Sequence, residues 1–213
     1  MNSSKTEFIM FGGRQQLNKC STTSVRIAGD TVNTVRRIRY LGAYLDETLQ
    51  MKDHIKAKCR SAMMNFFRIK SISKYLTKEA TETLVLSLVI SHLDYCNSIL
   101  YNIAEKDIYK FQRIQNMCAK LVLKRSKYDS SKQALHDLHW LPIKCRINQK
   151  ILSFMYQCSV GSAPAYLTEL LCRHIPKRQG LRSADQTGHD YVVPFSRRKT
   201  FADRSFSVAG PSL

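Results

Sequence analysis

Metal-assisted, thiol or histidine chemistry needs its groups at particular spacings, and this sequence offers few of them. Its 16 acidic residues include no Asp-Asp pair and no acidic cluster in a strand turn. Two-metal phosphoryl chemistry requires carboxylates that hold ions about 3.5–4 Å apart, so it has no evident seat here. The seven cysteines (Cys20, Cys59, Cys96, Cys118, Cys145, Cys158, Cys172) are odd in number, widely spaced and without a C-x-x-C pair. They read as neither a zinc site nor a disulfide framework, and they suit a reducing compartment. Cys172 with His174 is half a zinc site that nothing nearby completes, and the six histidines are isolated. What the chain does carry is positive charge: 34 lysines and arginines give a formal net charge of +18. Such an excess repels itself and favours a polyanion, nucleic acid first. The alternative is that the basic residues only solvate helix faces.

The cations that could act together lie on helical stretches. Ile55, Cys59, Ala62, Met63, Phe66 and Phe67 recur at helical spacing, and Lys56, Arg60 and Arg68 lie off that stripe. Ile143, Ile147, Ile151, Phe154, Met155 and Cys158 form a second stripe, flanked by Lys144, Arg146 and Lys150. Pro142 reads as the start of that helix and Gly161 as its end. Thr77 is an N-cap for a helix running to about Tyr101, and a further helix spans about Glu105 to Lys124. Its terminal Lys120, Lys124 and Arg125 suit the negative end of the helix dipole. Short helices are expected near 131–138 and 166–172. Before residue 47 the pattern changes to short strands at 7–11, 24–28 and 38–45, and a β-like stretch recurs at 191–195. The apolar run Leu84 to Ile90 is too short to span a bilayer, and no secretory signal is evident.

Several blocks occur in an ordered set: Lys5 to Phe8, Tyr40 to Asp46, the run Leu138-His139-Trp140-Leu141-Pro142 with the basic helix after it, Ala163 to Leu167, and Val208 to Pro211. Together they resemble the region downstream of the polymerase core in reverse transcriptases of non-LTR retrotransposons, the LINE group with jockey-like and RTE-like members. The resemblance implies a chain that lies after the catalytic aspartates, so no catalytic residue, cofactor or metal ligand is expected, although the parent family uses magnesium. Lys5 matches a lysine near the incoming nucleotide phosphates, or is simply an exposed strand-start lysine. Tyr40, Leu41 and Gly42 resemble the primer grip, or are ordinary strand packing. The helices after residue 47 look like the thumb, which implies backbone contacts to a template-primer duplex of RNA and DNA through Lys56, Arg60 and Arg68, then Lys144, Arg146 and Lys150. Trp140 is either a base-stacking residue or a core anchor, and its place at a helix entry favours the anchor.

The expected fold is α+β and mostly α. It comprises a palm-edge β remnant over 1–46, a helical thumb-like bundle over 47–178 and a loosely ordered tail over 179–213. The expected function is non-catalytic binding of nucleic acid inside the cell, in nucleus or cytoplasm. A helical interaction module, a remnant without a role, or a piece that complements a catalytic portion in trans are the alternatives. Strands that lack their palm partner make 1–46 the expected least stable part.

Overall fold

The computed structural model describes residues 6–27, 29–174, 191–195 and 202–213. Within them the chain is a mostly helical α+β protein, as its periodicity predicts. It packs as two units, residues 1–93 with 105–131 and residues 94–104 with 132–213. The boundary expected at residue 46 falls inside the first unit, where the last strand before residue 47 is hydrogen-bonded to the helix that follows it, and the boundary expected at residue 178 lies outside the described residues.

The first unit begins with an extended segment at Phe8, which makes an isolated parallel bridge to Thr34 rather than a strand of its own. Gly12 and Gly13 end it, and a single helical turn, α1 (Arg14–Leu17), follows. Strands β1 (Ser24–Ile27) and β2 (Asp30–Asn33) form one antiparallel hairpin, and β3 (Arg37–Tyr40) and β4 (Ala43–Asp46) form another. The two hairpins do not join into one sheet. The loop of the second is Leu41 at φ +44 and Gly42 at φ +79, the left-handed pair that a two-residue hairpin with matching twist requires. Glycine takes that conformation freely. Leucine does so at a cost.

Helix α2 (Lys52–Ile72) buries His54, Ile55, Ala62, Phe66 and Ile69. After a 3₁₀ turn, Thr77 accepts the Ala80 N–H at 3.2 Å and starts α3 (Lys78–Val85), the cap its sequence predicts. A π turn over Leu86–Ile90 then leads into α4 (Ser91–Asp94). The helix expected to reach Tyr101 therefore stops at Asp94, where the chain turns through Cys96 at φ +54 into a 3₁₀ segment over Asn97–Leu100. Helix α5 (Glu105–Val122) packs on α2 and α3 through Phe111, Ile114, Gln115, Cys118 and Val122. It ends in a Schellman motif with Lys124 left-handed at φ +51 and the Arg125 N–H on the Lys120 carbonyl at 2.9 Å.

The second unit holds the 3₁₀ segment, α6 (Ser131–Asp137), α7 (Ile143–Ser159), α8 (Ala165–Thr168) and α9 (Phe206–Ala209). Helix α6 closes like α5: His139 is left-handed, and the Trp140 N–H donates to the Leu135 carbonyl at 2.9 Å. Trp140 is buried, so the structure takes the core-anchor side of its two readings. Pro142 sits just before the first turn of α7. Gly161, at φ +72, ends that helix with the Ser162 N–H on Gln157 at 3.0 Å. The expected helix at 166–172 is a single turn, and the expected strand at 191–195 is one bridge between Tyr191 and Arg173. No helix among the described residues is long and apolar enough to cross a membrane.

Candidate functional site

At 3.6 residues per turn, Lys56, Arg60, Met64, Phe67 and Arg68 fall within an arc of about 120° on α2, opposite its buried stripe. All five are exposed. Among the described residues Lys56, Arg60 and Arg68 have no ion pair, so their charge faces solvent. The sequence places these three on one side of the helix, and the structure keeps them there. Phe67 is held by edge-on contact with buried Phe66, ring centroids 5.5 Å apart.

Helix α5 adds a second cationic arc. Lys106, Tyr109, Lys110 and Arg113 are exposed and share the face opposite Phe111 and Cys118. Lys110 is paired with Asp107 at 2.7 Å. It also lies beside Cys59 of α2: burial raises the Cys59 thiol to about 11, and the Lys110 charge partly offsets that rise. Of the α2 arc, Lys56 lies nearest this side of the helix, about 60° from Cys59, whereas Arg68 leaves α2 half a turn away from it. The helix dipole accounts for the cations at the end of α5, and the sequence candidates do not include the rest. The signal available was Lys106, Tyr109, Lys110 and Arg113 at spacings of three and four.

The β3–β4 hairpin presents Tyr40 and Leu41 at its tip, and Leu41 is 75% exposed. Arg37 and Arg39 lie over the Tyr44 ring at 5.7 and 5.8 Å, and Arg37 also reaches Asp53 at 3.5 Å. This cationic side of the hairpin is not among the sequence candidates. Lys5 lies outside the described residues.

Two groups fix the hairpin to α2. The Asp46 carboxylate accepts the Thr48 hydroxyl at 2.7 Å, the Gln50 N–H at 3.0 Å and the Met51 N–H at 2.7 Å. Burial would raise its pKa, but those hydrogen bonds together hold it below the usual carboxylate value. They also hold Met51, left-handed at φ +59, at the head of α2, where no side chain caps the helix. Asp46→Asn, which removes the charge and leaves one good acceptor, is expected to destabilise the first unit by about 2 kcal/mol in urea unfolding at pH 7. The second group is His54, fully buried, whose Nδ1 accepts the Tyr44 N–H at 3.3 Å. Its Nε2 has no partner among the described residues. Burial, with Lys58 adding to it, pushes the imidazole down to about 4, so it is neutral at pH 7.

In the second unit the expected trio does not converge. Arg146 binds Asp94 in a bidentate pair, Nε to Oδ1 at 2.8 Å and Nη2 to Oδ2, which commits its charge to the fold. Its own pKa is raised by that hydrogen bond first. Lys144 and Lys150 leave α7 about 120° apart, since six residues separate them. Lys150 rests over the Phe154 ring at 5.1 Å, and that ring meets Phe206 edge-on.

Among the described residues no three His, Cys, Asp or Glu side chains are grouped to hold a metal. Cys118 and Cys158 are buried, and burial pushes the Cys118 thiol to about 12, so it acts as a small apolar group. No protein-family model, curated protein or solved structure matches the chain.

Proposed function

We propose that the chain binds nucleic acid without sequence preference, as a non-catalytic stretch of a non-LTR retrotransposon reverse transcriptase downstream of its metal-binding aspartates. The observation that carries the reading is the exposed face of α2 with Lys56, Arg60 and Arg68 free of ion pairs, on a helix packed against α5, which has exposed cations of its own. Contacts of this kind go to phosphates and carry no sequence information. The hairpin tip at Tyr40, Leu41 and Gly42 stands as a further contact, because it presents an exposed aromatic ring and an exposed leucine on a tight two-residue turn. The chain takes no metal of its own in this reading: Asp46, Asp94 and Asp107 are each bound to partners within the fold. The ligand implied by the resemblance is a template-primer of RNA and DNA.

The test is binding of the purified chain across a salt series, beside the triple variant Lys56→Ala, Arg60→Ala, Arg68→Ala. Each lost phosphate contact is expected to lower the slope of log affinity against log salt by about 0.7–0.9. The triple variant is expected to bind about tenfold or more weakly at low salt. An identical slope for the variant would reject this face as the binding surface.

A further inference from the structure

The same tripeptide follows both of these helices. Ser73-Lys74-Tyr75 comes directly after α2, and Ser126-Lys127-Tyr128 comes just after α5. In each the lysine ammonium lies over its own tyrosine ring, 4.7 Å from the Tyr75 centroid and 4.8 Å from that of Tyr128. Tyr75 is 78% exposed and Tyr128 85%, so the other side of each ring faces solvent. The Lys127 carbonyl accepts the Lys120 ammonium at 2.8 Å, which ties the second tripeptide back to α5. Phe67 and Tyr109 repeat the pattern on the helices themselves, 55% and 61% exposed among cations.

A duplex presents phosphates to such a face and keeps its bases stacked inside. Cations alone meet that need, and open rings add nothing to it. Unpaired nucleotides present both phosphates and π-faces, and a charged groove interleaved with aromatic rings is how proteins hold single strands. We propose that the nucleic acid taken by α2 and α5 is single-stranded, its bases stacking on Tyr75 and Tyr128 while Lys74 and Lys127 cover the opposite faces of those rings. This rests on the nucleic-acid reading above and narrows it to the unpaired part of a template-primer.

The experiment compares the full 213-residue chain on a labelled oligo(dT) of about 20 nucleotides and on a blunt RNA–DNA duplex of the same length, by fluorescence anisotropy. Two double variants accompany it: Tyr75→Ala with Tyr128→Ala, and Tyr75→Phe with Tyr128→Phe. The expected result is that the alanine pair loses tenfold or more in affinity for oligo(dT), the phenylalanine pair stays within about twofold, and duplex affinity is the same in all three. Oligo(dT) binding that ignores the alanine pair, or that falls equally in the phenylalanine pair, overturns the stacking role. Duplex binding that depends on salt and not on the rings, with no binding of oligo(dT), would sink this inference and leave the broader reading in place. Failure to bind either ligand would remove both.

Discussion

Lowering the pH from 7 to 4 is expected to cost the first unit up to about 3 kcal/mol, through one imidazole. His54 has its folded pKa near 4, against 6.5 when exposed. Between those values the unfolded chain binds a proton that the folded chain refuses, so unfolding gains free energy as acid is added. The contribution is fully present above pH 6.5, declines from there to pH 4, and then levels. Below that window the depressed carboxyl of Asp46 continues the decline, because its stabilisation disappears as it protonates. The groups that face the ring all disfavour the imidazolium. The Tyr44 N–H points at Nδ1, Lys58 lies nearby, and among the described residues no carboxylate is paired with it. Urea unfolding followed by circular dichroism at pH 7, 6, 5 and 4 measures the effect. His54→Asn, which keeps an acceptor at the place of Nδ1, is expected to be less stable at pH 7 but flatter across the window. Parallel slopes for the two proteins would refute the assignment.

Trp140→Ala is expected to be the most damaging single substitution in the second unit, at about 3–5 kcal/mol. The ring is only 9% exposed, and its own backbone N–H closes the end of α6 on Leu135. Removing it leaves a cavity in a stretch of chain where Ala134, Leu135, Leu138 and Ile143 are also buried. Trp140→Phe keeps most of the apolar surface and is expected to cost about 1–2 kcal/mol. Because Trp140 is the only tryptophan, unfolding must be followed by far-ultraviolet circular dichroism rather than by indole fluorescence. A second-unit transition unmoved by Trp140→Ala would show that the cavity refills.

The helices were legible where one face repeats at regular spacing over several turns, as in α2, α5 and α7. Caps were legible where a single residue type decides them, as at Thr77 and Gly161. The stop at Asp94 was not, because the apolar run through Ile90 continues the helical pattern and only long-range contacts draw the chain away. The bond that fixes Arg146 spans 52 positions in sequence, so nothing local could have taken it off the list of free cations. Lys56, Arg60 and Arg68 were readable because a helix that buries one stripe must expose the other. The N-terminal strands illustrate the opposite case. The sequence marked the strand at 24–28, but it missed β2, read 38–45 as one strand where Leu41 and Gly42 turn it into the β3–β4 hairpin, and gave no sign of the attachment to α2 through Asp46 and His54. A chain cut at Glu47 would lose both the carboxylate that holds Met51 and the Tyr44 N–H that partners His54, so those residues are part of the unit's foundation rather than a detachable remnant.

The π turn at Leu86–Ile90 widens one loop of an otherwise α-helical rod, and Asn65 of α2 meets the change by donating to the Leu88 carbonyl at 2.8 Å. In effect the turn is one surplus residue stored within a helix. It acts as a phase shifter: across it Val85, Val89 and Leu93 are buried at steps of four, whereas an unbroken α-helix would drift by about 40° at each step. Without the surplus residue the inward position after Val89 would pass from Leu93 to its polar neighbour His92. A small irregularity thus keeps an apolar side chain, Leu93, on the buried side to the end of the helix.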